Sequence, residues 1–419
     1  EGRHRRMTVD RRRLIAALGA VPIALALGGA KKEPKRKDPP EPRAARRRKG
    51  AKAPAKHVDV AVVGAGAIGA WTAWHLVRAG LSVRLFDAYG AGNGRAASNL
   101  PSMMLDPVQG GDALYAALVD DSREAWQRLS DTASLPILLP CEAVTALAAT
   151  DALAELHGVD RVTGARLRDR FTQIAWRPEE AVLHAAKGAM IAGRRAVLET
   201  ILDAQIDPED VVMPAPLRDK KQDLYILPDG GTARSIVYTC GAWLTELFPQ
   251  TLPPARLAAV RQQIFHFGPG QGDTQFRPPE MPAFVDRAYG FNLLPDVEGV
   301  GVRVWKSAPD ASVDPDSFDR RADDRALADA RQWLGARLPR LADAPVVASA
   351  AAHDCRTATG DLLLDRLPGQ ERAWIVGGGA GRAFALAPAI GARVAAHVQN
   401  ATRPIEPRWA LARLTGNPT

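Results

Sequence analysis

An α/β fold is predicted by three features of the 419-residue chain. A β-branched run, His57 to Val63, leads straight into Gly64-Ala65-Gly66-Ala67-Ile68-Gly69, which has the G-x-G-x-x-G spacing. An apolar helical pattern from Ala67 to Ala79 follows, with Gly80 as its stop, and then a second short strand from Ser82 to Phe86. Far down the chain the arrangement recurs: the strand Trp374-Ile375-Val376, the run Gly377-Gly378-Gly379-Ala380-Gly381, and a helical segment from about Pro388 to His397. Strand, glycine turn and helix in this order build a Rossmann-type sheet with helices packed upon it.

With 46% hydrophobic and 24% charged residues, the chain can bury one large core or two joined ones. Charge divides it into two parts. Residues 1–56 hold 18 of the 55 Lys and Arg but five of the 47 Asp and Glu, so this leader carries +13 and the remainder −5. A mildly acidic body argues against a nucleic-acid partner, which would need basic surface on the fold itself. Within the leader, Arg11-Arg12-Arg13-Leu14-Ile15 precedes an apolar run from Ala16 to Ala30. Residues 1–30 read as a twin-arginine export signal, giving an exported, periplasmic or extracytoplasmic location. The run is short against the ~20 residues of a spanning helix, so a membrane anchor is the weaker alternative. Residues 31–56 are rich in Lys, Arg, Pro and Ala and read as a basic disordered linker, whose charge allows a weak membrane association. The three cysteines, Cys141, Cys240 and Cys355, form neither a disulfide framework nor a zinc motif, and no histidine stands at metal spacing.

Each residue of the first glycine loop has a physical task. Gly64 allows the tight turn, Gly66 lets backbone approach a pyrophosphate, and Gly69 packs helix on strand. Together with Ala65 and Ile68 they form a phosphate cradle at a helix N-terminus. Asp87, 18 residues after Gly69, ends the second strand and can accept hydrogen bonds from ribose hydroxyls. The ligand is therefore a dinucleotide. FAD is favoured over a nicotinamide cofactor because an exported protein can carry tightly bound flavin through a pathway that moves folded proteins. The second cluster, with Gly378, Gly379, Gly381, Arg382, Ala383 and Phe384, would let a planar flavin ring lie against backbone near a helix N-terminus.

With these motifs placed, residues from His57 to His397 resemble the D-amino-acid oxidase superfamily of FAD enzymes, and most closely its monomeric sarcosine oxidase branch. The matching landmarks are Asn93 to Ser98, which include Arg95 and Ser98, the helix with Tyr115, Ser122 and Trp126, and Cys240-Gly241-Ala242-Trp243. Further along come Tyr289-Gly290 to Arg303, Val313 to Asp316, Cys355 to Asp361, and Gly379 to Ala385. The resemblance implies a discontinuous FAD-binding domain (57–105, 185–250, 346–400), an antiparallel substrate domain (106–184, 251–345) and a C-terminal tail (401–419). It also implies oxidation of a small amine or amino-acid-like substrate by hydride transfer to flavin N5, followed by imine hydrolysis. Oxygen, or a quinone or cytochrome, would reoxidise the flavin. Cys355 stands where the branch links its flavin covalently, which makes a thioether to FAD an open expectation beside an inert buried thiol.

Three departures from the family pattern concern the substrate. The segment that carries two arginines in the family reads Ser102-Met103-Met104-Leu105-Asp106; the lysine that pairs with substrate carboxylate is Ala385; and the lysine facing the flavin is Arg303. A buried carboxylate needs a cationic partner, so the expected substrate lacks a free carboxylate or carries an extra positive group that Asp106 would meet. Arg303, Asp106 and Arg382 are the candidate catalytic residues, with Arg382 able to supply the missing cation. The alternatives are a dehydrogenase serving a respiratory acceptor and a degenerate FAD-binding accessory protein.

Overall fold

The computed structural model describes residues 56–151 and 157–415. The export signal and nearly all of the basic linker lie outside the described residues. The first strand, β1 (His57–Val63), is buried on both faces, as a central parallel strand must be. Val60 and Val62 enter one core, while Ala61 and Val63 enter the other. β1 runs parallel to β2 (Val83–Asp87) on one side and to the Thr232–Tyr238 strand on the other, which in turn pairs in parallel with Ala373–Gly378. Antiparallel strands Leu217–Asp219, Leu224–Ile226 and Leu362–Arg366, and the short parallel strand Glu209–Asp210 beside β2, complete this sheet away from its centre.

Helix α1 (Ala67–Arg78) covers one face beside the Ala387–Gln399 helix. Their approach depends on Gly391, where a Cβ would stand 2.7 Å from the Trp71 backbone carbon. The Ala113–Thr132 helix packs against the same core through Tyr115, Leu118, Trp126 and Leu129. The predicted boundaries give it to the substrate domain. The structure assigns it to the dinucleotide domain, because its apolar stripe meets the two helices that close that sheet.

An eight-stranded sheet forms the second domain, with Leu257–Phe267 between Val346–Thr357 and Val302–Lys306. Its antiparallel core agrees with expectation, but the Val346–Thr357 strand corrects a boundary. That strand pairs with Leu257–Phe267 almost along its length, from Leu257↔Thr357 to Phe267↔Val346, and so belongs to the substrate sheet. The Asp324–Arg337 helix, capped by the Asp323 carboxylate, packs on this sheet. Buried Arg337 ties it down through Asp286 and Glu180 at 3.0 and 3.1 Å.

The described part of the C-terminal segment packs onto the dinucleotide domain. Arg408 donates to Asp112 and Asp361, the Leu411 N–H donates to Asp365, and Trp409 is 3% exposed within the dinucleotide-domain core. Among the described residues no helix is long and apolar enough to cross a membrane. Trp409→Ala is expected to cost about 3–5 kcal/mol through lost burial and the cavity left behind. A chemical-denaturation midpoint close to that of the parent protein would contradict this packing role.

Candidate active site

At the end of β1 the chain must turn in a space with no room for side chains. Gly64 has φ +99°, and a Cβ there would stand 2.6 Å from the Thr239 carbonyl oxygen. At Gly69 a Cβ would meet the Gly64 carbonyl oxygen at 1.8 Å, so α1 sits directly on the strand end. The helix starts at Gly66 with no side-chain cap and no acidic residue in its first turn, which leaves its N–H groups and dipole for an anion. The Asp87 carboxylate accepts the Ala65 N–H at 2.8 Å and the Tyr89 N–H at 2.9 Å. Burial holds its carboxyl above the usual range.

A cavity of about 570 Å³ opens from this loop between the two sheets. Of the predicted cofactor residues, Gly64, Gly66, Ile68, Asp87, Ser98, Cys355, Gly378, Gly381, Ala383 and Phe384 line it. Ala65, Gly69, Gly379, Arg95 and Arg382 are not among its lining residues. The second glycine run is shaped by backbone alone: Gly378, Gly379, Ala380 and Gly381 all have positive φ, at +72°, +96°, +49° and +83°. Only glycine adopts this freely, which explains the density of glycines there. The Asp354 carboxylate accepts the Gly381 N–H at 3.2 Å and so moors this loop to the substrate sheet.

The candidate catalytic residues separate. Arg303 lines the cavity, 5% exposed, and its Cα pairs across the sheet with His266. Its guanidinium donates to the Ser102 carbonyl at 2.6 Å and lies 4.5 Å from the Trp305 ring centre, while its Nε has no acceptor. Burial without a carboxylate beside it pushes its pKa down to about 9. His266 is buried behind it, neither ring nitrogen has a partner, and burial together with Arg303 pushes it down to about 4.

Asp106 and Arg382 require correction. The Asp106 carboxylate turns back to accept the Val108 N–H at 2.8 Å and does not line the cavity; burial pushes it up to about 6. It is a turn residue, and the argument it lent to a second positive group on the substrate falls. Arg382 donates to the Gly360 carbonyl at 2.8 Å and lies 4.0 Å over the Tyr115 ring centre, so it braces the glycine loop instead of meeting substrate. Arg95 likewise serves the walls, donating to Asp316 at 2.9 Å.

Asp316 also accepts from the Tyr89 hydroxyl at 2.7 Å and the Trp243 indole at 3.0 Å, which clasps the loop after β2 to the substrate domain. Sequence reading did not single out this clasp, nor the cavity-lining His353, Asp354 and Val211 to Met213. Trp305 also lines the cavity, and Tyr289 of the hairpin landmark is exposed. The Cys355 thiol reaches the wall, pushed up to about 12 by burial, and Cys240 reaches it too. No cluster of potential metal ligands occurs among the described residues.

These features fit FAD. The uncapped helix start and glycine cradle would hold the pyrophosphate, Asp87 the adenosine ribose, and the Gly378–Phe384 loop the flavin ring. Gly66 separates binding from folding, because a Cβ there meets only the Ser98 hydroxyl at 3.4 Å, an ordinary contact. Gly66→Ala is therefore expected to fold with the thermal midpoint of the flavin-free parent protein but to purify with little flavin. A full flavin complement in the purified variant would contradict the cradle.

The chain from residue 59 to 397 matches the profile of the FAD dependent oxidoreductase family, DAO. It is similar to N-methyl-L-tryptophan oxidase of Salmonella heidelberg (strain SL476), with 24% identity over 352 residues, 80% of this chain and 92% of the relative. The counterpart from Yersinia pestis (strain Pestoides F) is 21% identical over 378 residues, covering 85% and 99%. Among solved structures, Amadoriase I of Aspergillus fumigatus, a fructosyl amine:oxygen oxidoreductase, superposes with a TM-score of 0.70 at 17% identity, covering 86% of this chain and 90% of its own. Glycine oxidase of Geobacillus kaustophilus gives 0.67 at 18%, covering 85% and 98%. Glycine cradle, two-sheet cavity and family profile agree: this chain belongs to the FAD-dependent oxidoreductases of the DAO family.

Proposed function

We propose that this protein oxidises the C–N bond of a small amine that carries no carboxylate. The observation that carries this reading is the character of the cavity wall. Met103, Met104, Leu294 and Ala385 line it, and Arg303 is the one Lys or Arg among its described lining residues. A substrate carboxylate taken into this space would need a cation of its own. The resemblance implies that Arg303 faces the flavin, and no second lysine or arginine is among the described lining residues. FAD, when bound, supplies the hydride acceptor for the C–H beside the substrate nitrogen, and the imine product hydrolyses. The protein's part is to hold a neutral amine in line, to exclude water with apolar walls, and to set Arg303 where negative charge develops.

The same arginine bears on the electron acceptor. A guanidinium does not shuttle a proton as a lysine does. We therefore assign reoxidation to a quinone or cytochrome rather than oxygen, in keeping with an exported location. FAD is held without a bond to Cys355, because burial, and after it the neighbouring Asp354, disfavours the thiolate that a thioether would need.

Acid precipitation of the purified protein is expected to leave the flavin in the supernatant; flavin that stays with the pellet would contradict the non-covalent reading. Ala385→Lys is expected to create a carboxylate partner worth about 1.5–3 kcal/mol, raising kcat/KM for an N-methyl amino acid by roughly tenfold or more. No gain would remove the missing cation as the basis of specificity. Arg303 stays charged through the working pH range, so Arg303→Met is expected to lower kcat by about a hundredfold without adding a pH limb; a kcat close to that of the parent protein would remove Arg303 from the reacting centre.

A further inference from the structure

A file of aromatic rings leads from the cavity wall toward the surface. Phe384, on the wall, stacks parallel to Trp126 with ring centroids 5.8 Å apart. Trp126 meets Trp71 edge-on at 5.1 Å, and Trp71 meets Trp74 at 5.3 Å. Trp126 and Trp71 are fully buried, whereas Trp74 is half-buried beside the exposed Arg78 at the end of α1. Packing alone would explain one such pair. It does not explain how the three indole N–H groups are treated.

Trp126 donates to the Ala385 carbonyl at 2.8 Å, a neutral acceptor on the cavity loop. The Trp71 N–H has no acceptor. Trp74 donates to the Asp203 carboxylate at 2.7 Å. An indole that loses an electron becomes a strong acid, and of the three only Trp74 holds a base against its N–H. Arg78 shares Asp203 at 3.1 Å and lies 5.0 Å from the Trp74 ring centre, so its charge opposes a cation on that ring and favours loss of the proton. His75 packs against Trp74 at 4.8 Å but is pushed down to about 4 by burial, and its Nε2 meets the Pro388 carbonyl. It adds no charge at neutral pH.

We propose that Trp126, Trp71 and Trp74 form a one-electron relay between the flavin cavity and the surface. The oxidant is bound FAD excited by blue light, and it takes one electron from Trp126. Trp71 then gives an electron to Trp126, and Trp74 gives one to Trp71. The oxidised Trp74 passes its N–H proton to Asp203 and remains as a neutral indole radical, which blocks charge return. A small reductant of the thiol or ascorbate class returns an electron to Trp74, which takes its proton back from Asp203. In balance, the external reductant loses one electron and FAD gains one. This activity needs bound FAD but is independent of the amine substrate class.

The test is illumination of the FAD-loaded protein without amine. Electron paramagnetic resonance detects the radical, and peptide mass spectrometry locates the oxidised indole. Flavin bands recorded before illumination separate loss of cofactor from loss of the relay. The expected result is a tryptophan radical, with oxidation concentrated on Trp74. It is lost in Trp71→Phe and shortened in lifetime in Asp203→Asn. Trp74→Phe, at the half-buried end, guards against a folding defect at the core position; it should keep its flavin yet lose the persistent radical. Oxidation on Trp243 or Trp305, which also line the cavity, or an unchanged radical in Trp71→Phe and Trp74→Phe, would overturn the relay.

Discussion

Everything in this fold is arranged around the end of β1, where backbone must pass so close to backbone that no Cβ fits. The Gly64 turn presses on Thr239, and Gly69 brings α1 down on the Gly64 carbonyl. That approach fixes the helix start, and with it a set of N–H groups without side-chain caps facing a cavity. The parallel partners of β1, the Ala65 N–H bond to Asp87 and the helix contact at Gly391 all follow from the same geometry. A protein that accepts these constraints has prepared an anion site before any ligand arrives.

Much of this was legible in the residues because the signals are local. The first strand, glycine loop, helix and acid lie within about thirty residues, and the helix ends where Gly80 predicts. The second cluster was legible for the same reason, since a run of positive φ admits little but glycine. The antiparallel second domain followed from family resemblance and not from periodicity.

What the residues concealed depends on long-range pairing. Val346–Thr357 reads equally well as an edge of either sheet, and only its register with Leu257–Phe267 decides. Arg382 and Asp106 carry the right charges at suggestive positions, yet side-chain direction sends one onto Tyr115 and the other into its own turn. The Asp316 clasp joins residues more than two hundred positions apart, which no local pattern announces. Charge type at a motif position is therefore a weaker guide to chemistry than backbone constraint at a glycine.

The proposed specificity rests on a cavity whose one arginine among the described lining residues would face the flavin, with no further lysine or arginine among them to meet a carboxylate. Its most direct test is anaerobic mixing of the purified holoprotein with two substrates of matched size: an N-methyl amine, and the same amine bearing a carboxylate. The neutral-tailed amine is expected to bleach the flavin while the carboxylated one leaves it oxidised. Faster bleaching by the carboxylated amine would contradict it and make Arg303 the substrate anchor.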